Sequence, residues 1–168
     1  QTIVDAVRSY APGFIFTTAL PPSLAAAACT SIRHLKSSQS ERQAHQRQAQ
    51  RTKDALRAAG LPVMQSETHI VPVLVANPDL CKKASDMLLE KHGVYIQPIN
   101  YPTVPRGTER LRITPTPLHN DGLIEDLCNA LTDVWDVLGL PKGTVDADCN
   151  IVDANGNVAQ AIYPAAGG

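Results

Sequence analysis

The sequence is short of aromatic residues, of long apolar runs and of any excess of one charge, and these shortages exclude several classes of protein. Its 15 basic residues are balanced by 16 acidic ones, so no surface for nucleic acid or for an acidic membrane is expected. No apolar run approaches the roughly 20 residues that span a bilayer, so no transmembrane segment is expected. The opening residues carry Asp5 and lack the apolar core of a signal peptide.

Aromatic side chains are also absent from the most basic stretch, residues 41–59. Surfaces that bind single-stranded nucleic acid combine basic residues with aromatic ones, and glutamines dilute the charge here. Gly60 and Pro62 end the helical pattern. We therefore predict a helix with a solvated face over residues 41–59.

The cysteines are scattered and form no C-x-x-C or cysteine–histidine spacing; they are Cys29, Cys81, Cys128 and Cys149. Neither a metal site nor a disulfide framework is predicted, and single reduced thiols fit an intracellular protein. Cys29 and Cys128 lie in apolar, helix-like contexts and are predicted to be small core residues.

The sequence begins at Gln1 without an initiator methionine, and its first residues already follow a helical pattern. We expect the chain to be part of a longer protein. Any signal that directs the protein to a compartment would then precede Gln1 and would not be visible.

The apolar periodicity changes along the chain and predicts an α/β fold, with long helices followed by a small two-layer α/β domain. Helical patterns fill residues 1–60, except that residues 14–16 are predicted to form a strand or an extended link. Alternating elements then follow, in the order strand (69–75), helix (79–91), strand (94–99), strand (110–113) and helix from residue 121. The resulting parts are helices at 1–60, the α/β domain at 61–141, and a flexible tail or loosely docked strand pair at 142–168.

Local signals sharpen three of these elements. Pro72 predicts an edge position or a bulge for the first strand. Asn77 or Asp79 is predicted to cap the helix that follows. The final helix is predicted to bury one apolar face, formed by Leu123, Leu127, Leu131, Val134 and Leu138, with Trp135 beside it.

The stretch from Gln97 to Asn120, QPINYPTVPRGTERLRITPTPLHN, contains five prolines, which require an extended and turning backbone. Arg110 to Ile113 then alternates polar and apolar residues, so Leu111 and Ile113 should face a core and Arg112 should face the other way. A rigid loop beside a strand arginine suits the recognition of a carboxylate. The alternative is a pair of solvated arginines on an edge strand.

Thr17 and Thr18 place two hydroxyl groups ahead of a predicted helix start. Such hydroxyls, beside backbone amides, can hold a phosphate group. The alternative is a purely structural pair that ends a strand.

Two of these stretches carry a resemblance to a known family. The segments SYAPGFIFTTALPP, from Ser9 to Pro22, and INYPTVPRGTERLRITPTPLH resemble two signatures of the 5-aminolevulinate synthases, in the same order. These enzymes form a branch of the α-oxoamine synthases, which are fold-type I enzymes that depend on pyridoxal phosphate. The similarity extends from about Val4 to Pro141. The chain is thereby identified as the C-terminal portion of such an enzyme, with residues 1–60 as the end of the large cofactor domain.

The resemblance implies a function and assigns roles to individual residues. The implied reaction condenses glycine with succinyl-CoA to 5-aminolevulinate, CoA and carbon dioxide, in haem biosynthesis. Thr17 and Thr18 match the threonines that reach the cofactor phosphate of the partner subunit, which implies a homodimer with shared active sites. Arg112 matches the arginine that binds the glycine carboxylate, and Thr103 matches a residue that contacts the carboxylate of succinyl-CoA. The wording of the motifs implies a eukaryotic source and hence the mitochondrial matrix.

One departure from the family is expected to leave the chain inactive alone. The lysine that forms the Schiff base lies upstream of the RSYAPGFIFTT signature in the family, so no catalytic residue is assigned in this chain. The lysines present are predicted to lie on polar helix faces or in the tail: Lys36, Lys53, Lys82, Lys83, Lys91 and Lys142. The alternatives are a related synthase of the 2-amino-3-ketobutyrate CoA ligase or 8-amino-7-oxononanoate synthase type, which uses another acyl-CoA, and a non-catalytic dimerising fragment.

Overall fold

The structure is a computed structural model that describes residues 1–159, and the chain divides into two units, residues 1–39 and residue 40 onward. The first unit contains three helices, α1 (Thr2–Tyr10), α2 (Pro12–Ile15) and α3 (Pro22–Ser37). The prediction of a strand or extended link at residues 14–16 is wrong, because α2 runs to Ile15. Pro12 lies in the first turn of α2, where its fixed φ favours a helix.

The described part of the second unit, residues 40–159, contains three helices and two small sheets. Its elements are α4 (Ser40–Ala58), β1 (Val71–Leu74), α5 (Pro78–His92), β2 (Gln97–Ile99), β3 (Arg110–Ile113), α6 (Asp121–Leu138), β4 (Thr144–Val145) and β5 (Ile151–Val152). The side chains of Asn77 and Asn120 accept hydrogen bonds from the first turns of α5 and α6. Gly93 and Gly139 end these helices in the left-handed conformation that favours glycine.

Strand β3 is the central strand of an antiparallel sheet in the order β1-β3-β2. The alternative of arginines on an edge strand is therefore wrong. Pro72 lies on β1, at the edge of this sheet as predicted, where a single bridge from Val63 to Val73 continues the pairing. In the register, Arg112 lies opposite Pro72 on one side and Gln97 on the other.

The core lies between the helices and the face of the sheet that carries Val71, Val73, Leu111 and Ile113. From α6, the core takes Leu131, Val134 and Trp135. Leu123 was predicted to face this core and does not, because it lies in the first turn of α6, where 49% of its surface is exposed.

Helix α4 is less solvated than its composition predicts. Ala49, Thr52, Lys53 and Leu56 are buried along one side. The amino group of Lys53 donates to the carbonyl oxygens of Ser66 and Thr68, both at 2.7 Å. Burial lowers the pKa of Lys53, and the charge of Arg57 acts in the same direction. The prediction that every lysine lies on a polar face therefore fails at Lys53, which fixes the 66–68 segment to the helix.

Residues 144–152 form the strand pair β4–β5, whose Ile151 packs against Met64 and Leu74. Two successive turns in this segment, DADCN (146–150) and DANGN (153–157), share one hydrogen-bonding pattern. Asp146 and Asp153 each accept from the backbone amides two and four residues ahead. The side-chain amide of Asn150 and these backbone bonds lower the pKa of Asp146, and the backbone bonds, that of Asn157 first, lower the pKa of Asp153. The sequence pattern did not reveal this repeat, and the rest of the predicted tail, 160–168, lies outside the described residues.

Candidate functional site

The site is a cavity of about 650 Å³ in the second unit, formed where the ends of β2 and β3 meet the start of α6. Arg112 lines this cavity from the centre of the sheet. The other residues that matter for its chemistry are Gln97, Thr114, His119, Leu123 and Asp126. Alternation along β3 sends Leu111 and Ile113 into the core, so Arg112 faces away from it, as the sequence predicted.

The guanidinium group of Arg112 is exposed and has no hydrogen bond or ion pair to any other described residue. Its neighbours differ in this respect. The Nε of Arg110 donates to the carbonyl oxygen of Thr108 at 2.8 Å, and the guanidinium of Arg106 stacks over the ring of Tyr101, 4.4 Å from its centre. Arg112 therefore offers its full set of donors to a ligand in the cavity, and the planar group suits a carboxylate.

Two histidines at this cavity have partners within the chain. The Nδ1 of His119 accepts from the backbone amide of Thr116 at 2.8 Å. The Nε2 of His92 lies 2.9 Å from a carboxylate oxygen of Asp133. Asp126 supplies a carboxylate on the wall formed by α6. Both histidines therefore have a partner within the chain, whereas the guanidinium group of Arg112 has none among the described residues.

Thr103 is exposed on the loop between β2 and β3, residues 100–108, and does not line the cavity that contains Arg112. A turn holds it, because its amide donates to the carbonyl oxygen of Asn100 at 2.9 Å. At the other end of the loop, Thr108 Oγ1 donates to the carbonyl oxygen of Pro105 at 2.7 Å. The backbone of Thr103 is therefore held in a hydrogen-bonded turn. Thr103 and Arg112 do not line the same cavity.

Sequence reasoning missed Glu109, which is fully buried at the end of this loop. Its Oε2 accepts from the amide of Gly107 at 2.9 Å, while Oε1 has no partner among the described residues. A signal was present in the sequence, because Glu109 is two residues before Leu111 and shares its face by the period of a strand. An acidic residue on the core face of a strand is rare, so this pattern marks Glu109 as unusual.

Thr17 and Thr18 follow α2 in the first unit and are both exposed. Neither hydroxyl group has a hydrogen-bond partner among residues 1–159. The amide of Thr17 donates to the carbonyl oxygen of Phe14 at 3.2 Å. These two hydroxyl donors fit the oxygens of a phosphate group, such as that of pyridoxal phosphate.

No described lysine has the surroundings that a Schiff base requires. Lys53 is the buried one, and two of its three donors are committed to backbone carbonyls. Lys82 and Lys142 pair with Asp86 and Asp136. The chain therefore fits the phosphate end of the cofactor but offers no anchor for its aldehyde.

Two further features are absent from the part of the chain that the structure describes. Residues 1–159 contain no group of three or more histidine, cysteine or acidic side chains that could hold a metal ion. None of the helices within this range has the length and apolar character needed to cross a membrane.

The chain is similar in sequence to one family model and to several relatives that share one name. The sequence model of the family described as "Aminotransferase class I and II" matches residues 1–131. The 5-aminolevulinate synthase of Bradyrhizobium diazoefficiens is 66% identical over 83% of this chain, which covers 34% of that protein. The mitochondrial 5-aminolevulinate synthase of Kluyveromyces lactis is 56% identical over 83% of this chain and 25% of its own length. The chain thus spans about a third or less of these relatives.

Solved structures give the same fold. A serine palmitoyltransferase of S. paucimobilis with a bound PLP–myriocin aldimine superposes with a TM-score of 0.71 at 28% identity, over 83% of this chain and 35% of that one. The 8-amino-7-oxononanoate synthase of Francisella tularensis has a TM-score of 0.65 at 20% identity, over 83% and 41%, which shows the fold alone.

Proposed function

The chain belongs to the family of class I and II aminotransferases, and on that premise we propose that it is the C-terminal part of a 5-aminolevulinate synthase. Its α/β fold is that of the fold-type I transferases that use pyridoxal phosphate. The proposed reaction condenses glycine with succinyl-CoA to give 5-aminolevulinate, CoA and carbon dioxide. The names of relatives that are 49–66% identical to the chain support this choice.

The observation that carries the proposal is the unpaired guanidinium group of Arg112 at the cavity on the central strand. The register on both sides of β3 fixes the backbone of Arg112, so binding of a carboxylate restricts its side chain and not its backbone. We propose that Arg112 binds the carboxylate of glycine. When bound, pyridoxal phosphate supplies an electron sink for the electrons released at the glycine α-carbon.

Other residues of the chain would hold the remaining groups. Thr103, fixed by the turn at Asn100, would donate its hydroxyl to the carboxylate of succinyl-CoA. Thr17 and Thr18 would donate to the cofactor phosphate of a partner subunit, within a homodimer. The lysine for the Schiff base would come from outside these 168 residues, since none of the six described lysines has suitable surroundings.

The compartment depends on the source. Yeast relatives are named as mitochondrial, whereas the bacterial relatives are not. For a eukaryotic source we propose the mitochondrial matrix. Fractionation of the source cell, followed by detection of this chain, tests that location.

A second candidate is a synthase that condenses an amino acid with another acyl-CoA. The structural match to serine palmitoyltransferase, at 28% identity, is the observation that keeps it open. The two candidates differ in the acyl group: the carboxylate of succinyl-CoA needs a polar partner such as Thr103, whereas the uncharged chain of palmitoyl-CoA does not.

The test uses the complete gene product that carries this chain. Arg112→Leu should raise the KM for glycine or lower kcat/KM at least about tenfold, because an uncompensated carboxylate in a binding site costs about 2–5 kcal/mol. Thr103→Val should leave glycine unaffected and reduce the preference for succinyl-CoA over uncharged acyl-CoAs.

Arg47→Leu is the matched control, since Arg47 is an exposed arginine on α4. Unchanged glycine kinetics in Arg112→Leu would remove that arginine from the site. An unchanged ratio of specificity constants in Thr103→Val would remove the threonine.

A further inference from the structure

We infer that Glu109 is a positioning residue for the 100–108 loop, holding the loop in place so that Thr103 meets the acyl-CoA. The inference rests on the proposed function and adds a residue to the same site. It begins from the burial of Glu109, whose side chain has no exposed surface. Among the described residues, only the amide of Gly107 donates to its carboxylate, at 2.9 Å. No lysine, arginine or histidine of residues 1–159 forms an ion pair with it.

This arrangement is unfavourable for the fold. A buried carboxylate needs several donors or an opposite charge to replace its lost hydration. Burial and, to a lesser extent, the charge of Glu109 raise the pKa of the Cys81 thiol to about 12, which shows that Glu109 lies close to this core residue of α5. An apolar residue of similar size would suit this core position better. A polar residue kept at such a cost is expected to serve a site.

The hydrogen bonds of Glu109 show what it holds. Its backbone carbonyl accepts from the amides of Val75 and Ala76, which ties the residue to the end of β1. Its side chain reaches back two residues to Gly107, which has a φ of 82°. Glu109 thus joins the last turn of the loop to the same sheet that carries Arg112.

The other end of the loop has a matching attachment. The side-chain amide of Asn100 donates to the carbonyl oxygen of Pro78, in the first turn of α5, at 3.0 Å. Asn100 and Glu109 are opposite each other if the β2–β3 register, which pairs Ile99 with Arg110, continues by one residue. Two partly buried hydrogen bonds therefore hold the ends of a loop whose middle, including Thr103, is exposed. Loss of one attachment would let Thr103 move relative to Arg112.

The first test compares Glu109→Leu and Glu109→Gln in the 168-residue chain by amide hydrogen exchange. Glu109→Leu removes the acceptor and the underpaired charge, so the Gly107 amide should exchange at least about tenfold faster, a difference of about 1.4 kcal/mol. The exchange rates of the β3 amides should stay the same or fall. The unfolding midpoint of the chain should stay the same or rise. Glu109→Gln retains an acceptor oxygen and should keep the Gly107 amide protected. Glu90→Leu, an exposed glutamate on α5, is the matched control.

The second test measures the complete gene product. Glu109→Leu should raise the KM for succinyl-CoA at least about tenfold and leave the KM for glycine within about twofold, while Glu109→Gln should restore the wild-type value. An ordinary core role predicts the reverse: Glu109→Leu unfolds the chain or speeds exchange at every amide together. That result, or an unchanged Gly107 amide, overturns the inference. If no acyl-CoA is a substrate, the proposed function fails. The exchange measurement still tests whether the side chain of Glu109 holds the loop at Gly107.

Discussion

The two units differ in the burial of their apolar side chains: those of residues 1–39 lie outside any core, whereas many of those in residues 40–159 are buried. None of the residues in α1, α2 and α3 is buried, although Ile3, Phe14, Ile15 and Leu24 are among them and more than 45% of each is exposed. The buried apolar residues of the described chain all lie between Ala49 and Ile151. The second unit therefore supplies its own core, and the first unit does not.

This difference separates the two groups of candidate site residues. Arg112 sits on a strand that is paired on both sides and packed on a core, so residues of its own unit fix it. Thr17 and Thr18 follow a four-residue helix with no buried side chain. A helix without a packed apolar face is marginal in water. The geometry of the threonine pair must therefore depend on contacts that residues 1–39 do not provide among themselves.

The largest expected contrast between the units is in thiol reactivity. Cys29 in α3 is exposed, against the prediction that it lies in a core, whereas Cys81 is fully buried. With a pKa of about 12, the Cys81 thiol is about one part in ten thousand thiolate at pH 8. As the pH is raised toward this pKa, the thiolate fraction of Cys81, and with it the rate of alkylation, should rise about tenfold per pH unit.

Alkylation of the native chain at pH 8, read by mass spectrometry of peptides, should therefore label Cys29 at least about a thousandfold faster than Cys81. Denaturant should bring the two rates together. Equal rates in the native chain would mean that the second unit lacks the core described above.

A smaller contrast is expected in stability. Leu111→Ala on β3 should lower the free energy of unfolding by about 2–5 kcal/mol, because it removes a fully buried side chain. Leu20→Ala, at a leucine that is 65% exposed in the first unit, should change it by less than about 0.5 kcal/mol. Urea unfolding followed by the fluorescence of Trp135, which lies in the same core as Leu111, measures both. Similar losses would show that residues 1–39 share in the cooperative core.

The sequence predicted the features of the fold that local patterns determine. The cap at Asn77, one of the two predicted candidates, and the alternation of β3 depend on residues within one turn or one strand. The edge position of Pro72 followed from its missing amide. Arg112 was found in the same way, because alternation alone sends it away from the core.

The features that failed depend on contacts distant in sequence. Lys53 is buried because carbonyl groups 13 and 15 residues further along the chain accept hydrogen bonds from its amino group. The central position of β3 depends on the order of strands, which no single segment determines. Whether Thr103 and Arg112 serve one site is likewise a question of loop geometry, to which the hydrogen bond between Gly107 and Glu109 contributes.

The smallest expected effect concerns the threonines of the first unit. In the complete gene product, the double variant Thr17→Ala, Thr18→Ala should weaken the binding of pyridoxal phosphate about tenfold or more, since a hydrogen bond to a charged group contributes about 1.5–3 kcal/mol. Unfolding of the core around Leu111 should stay unchanged, because both threonines are exposed and lie outside that core. Titration with the cofactor, followed by its absorbance, measures the first effect, and urea unfolding measures the second.

Mixing two variants decides which subunit the threonines serve. The double threonine variant is combined, at limiting cofactor, with a variant that lacks the Schiff-base lysine, so that neither homodimer is active. If the threonines act across a dimer, a mixed dimer carries both lesions in one site and leaves the other site intact. Part of the activity should then return as the subunits exchange. If activity stays absent while labelled subunits are seen to exchange, Thr17 and Thr18 serve the site of their own subunit, and the first unit must take its order from that subunit instead of from the partner.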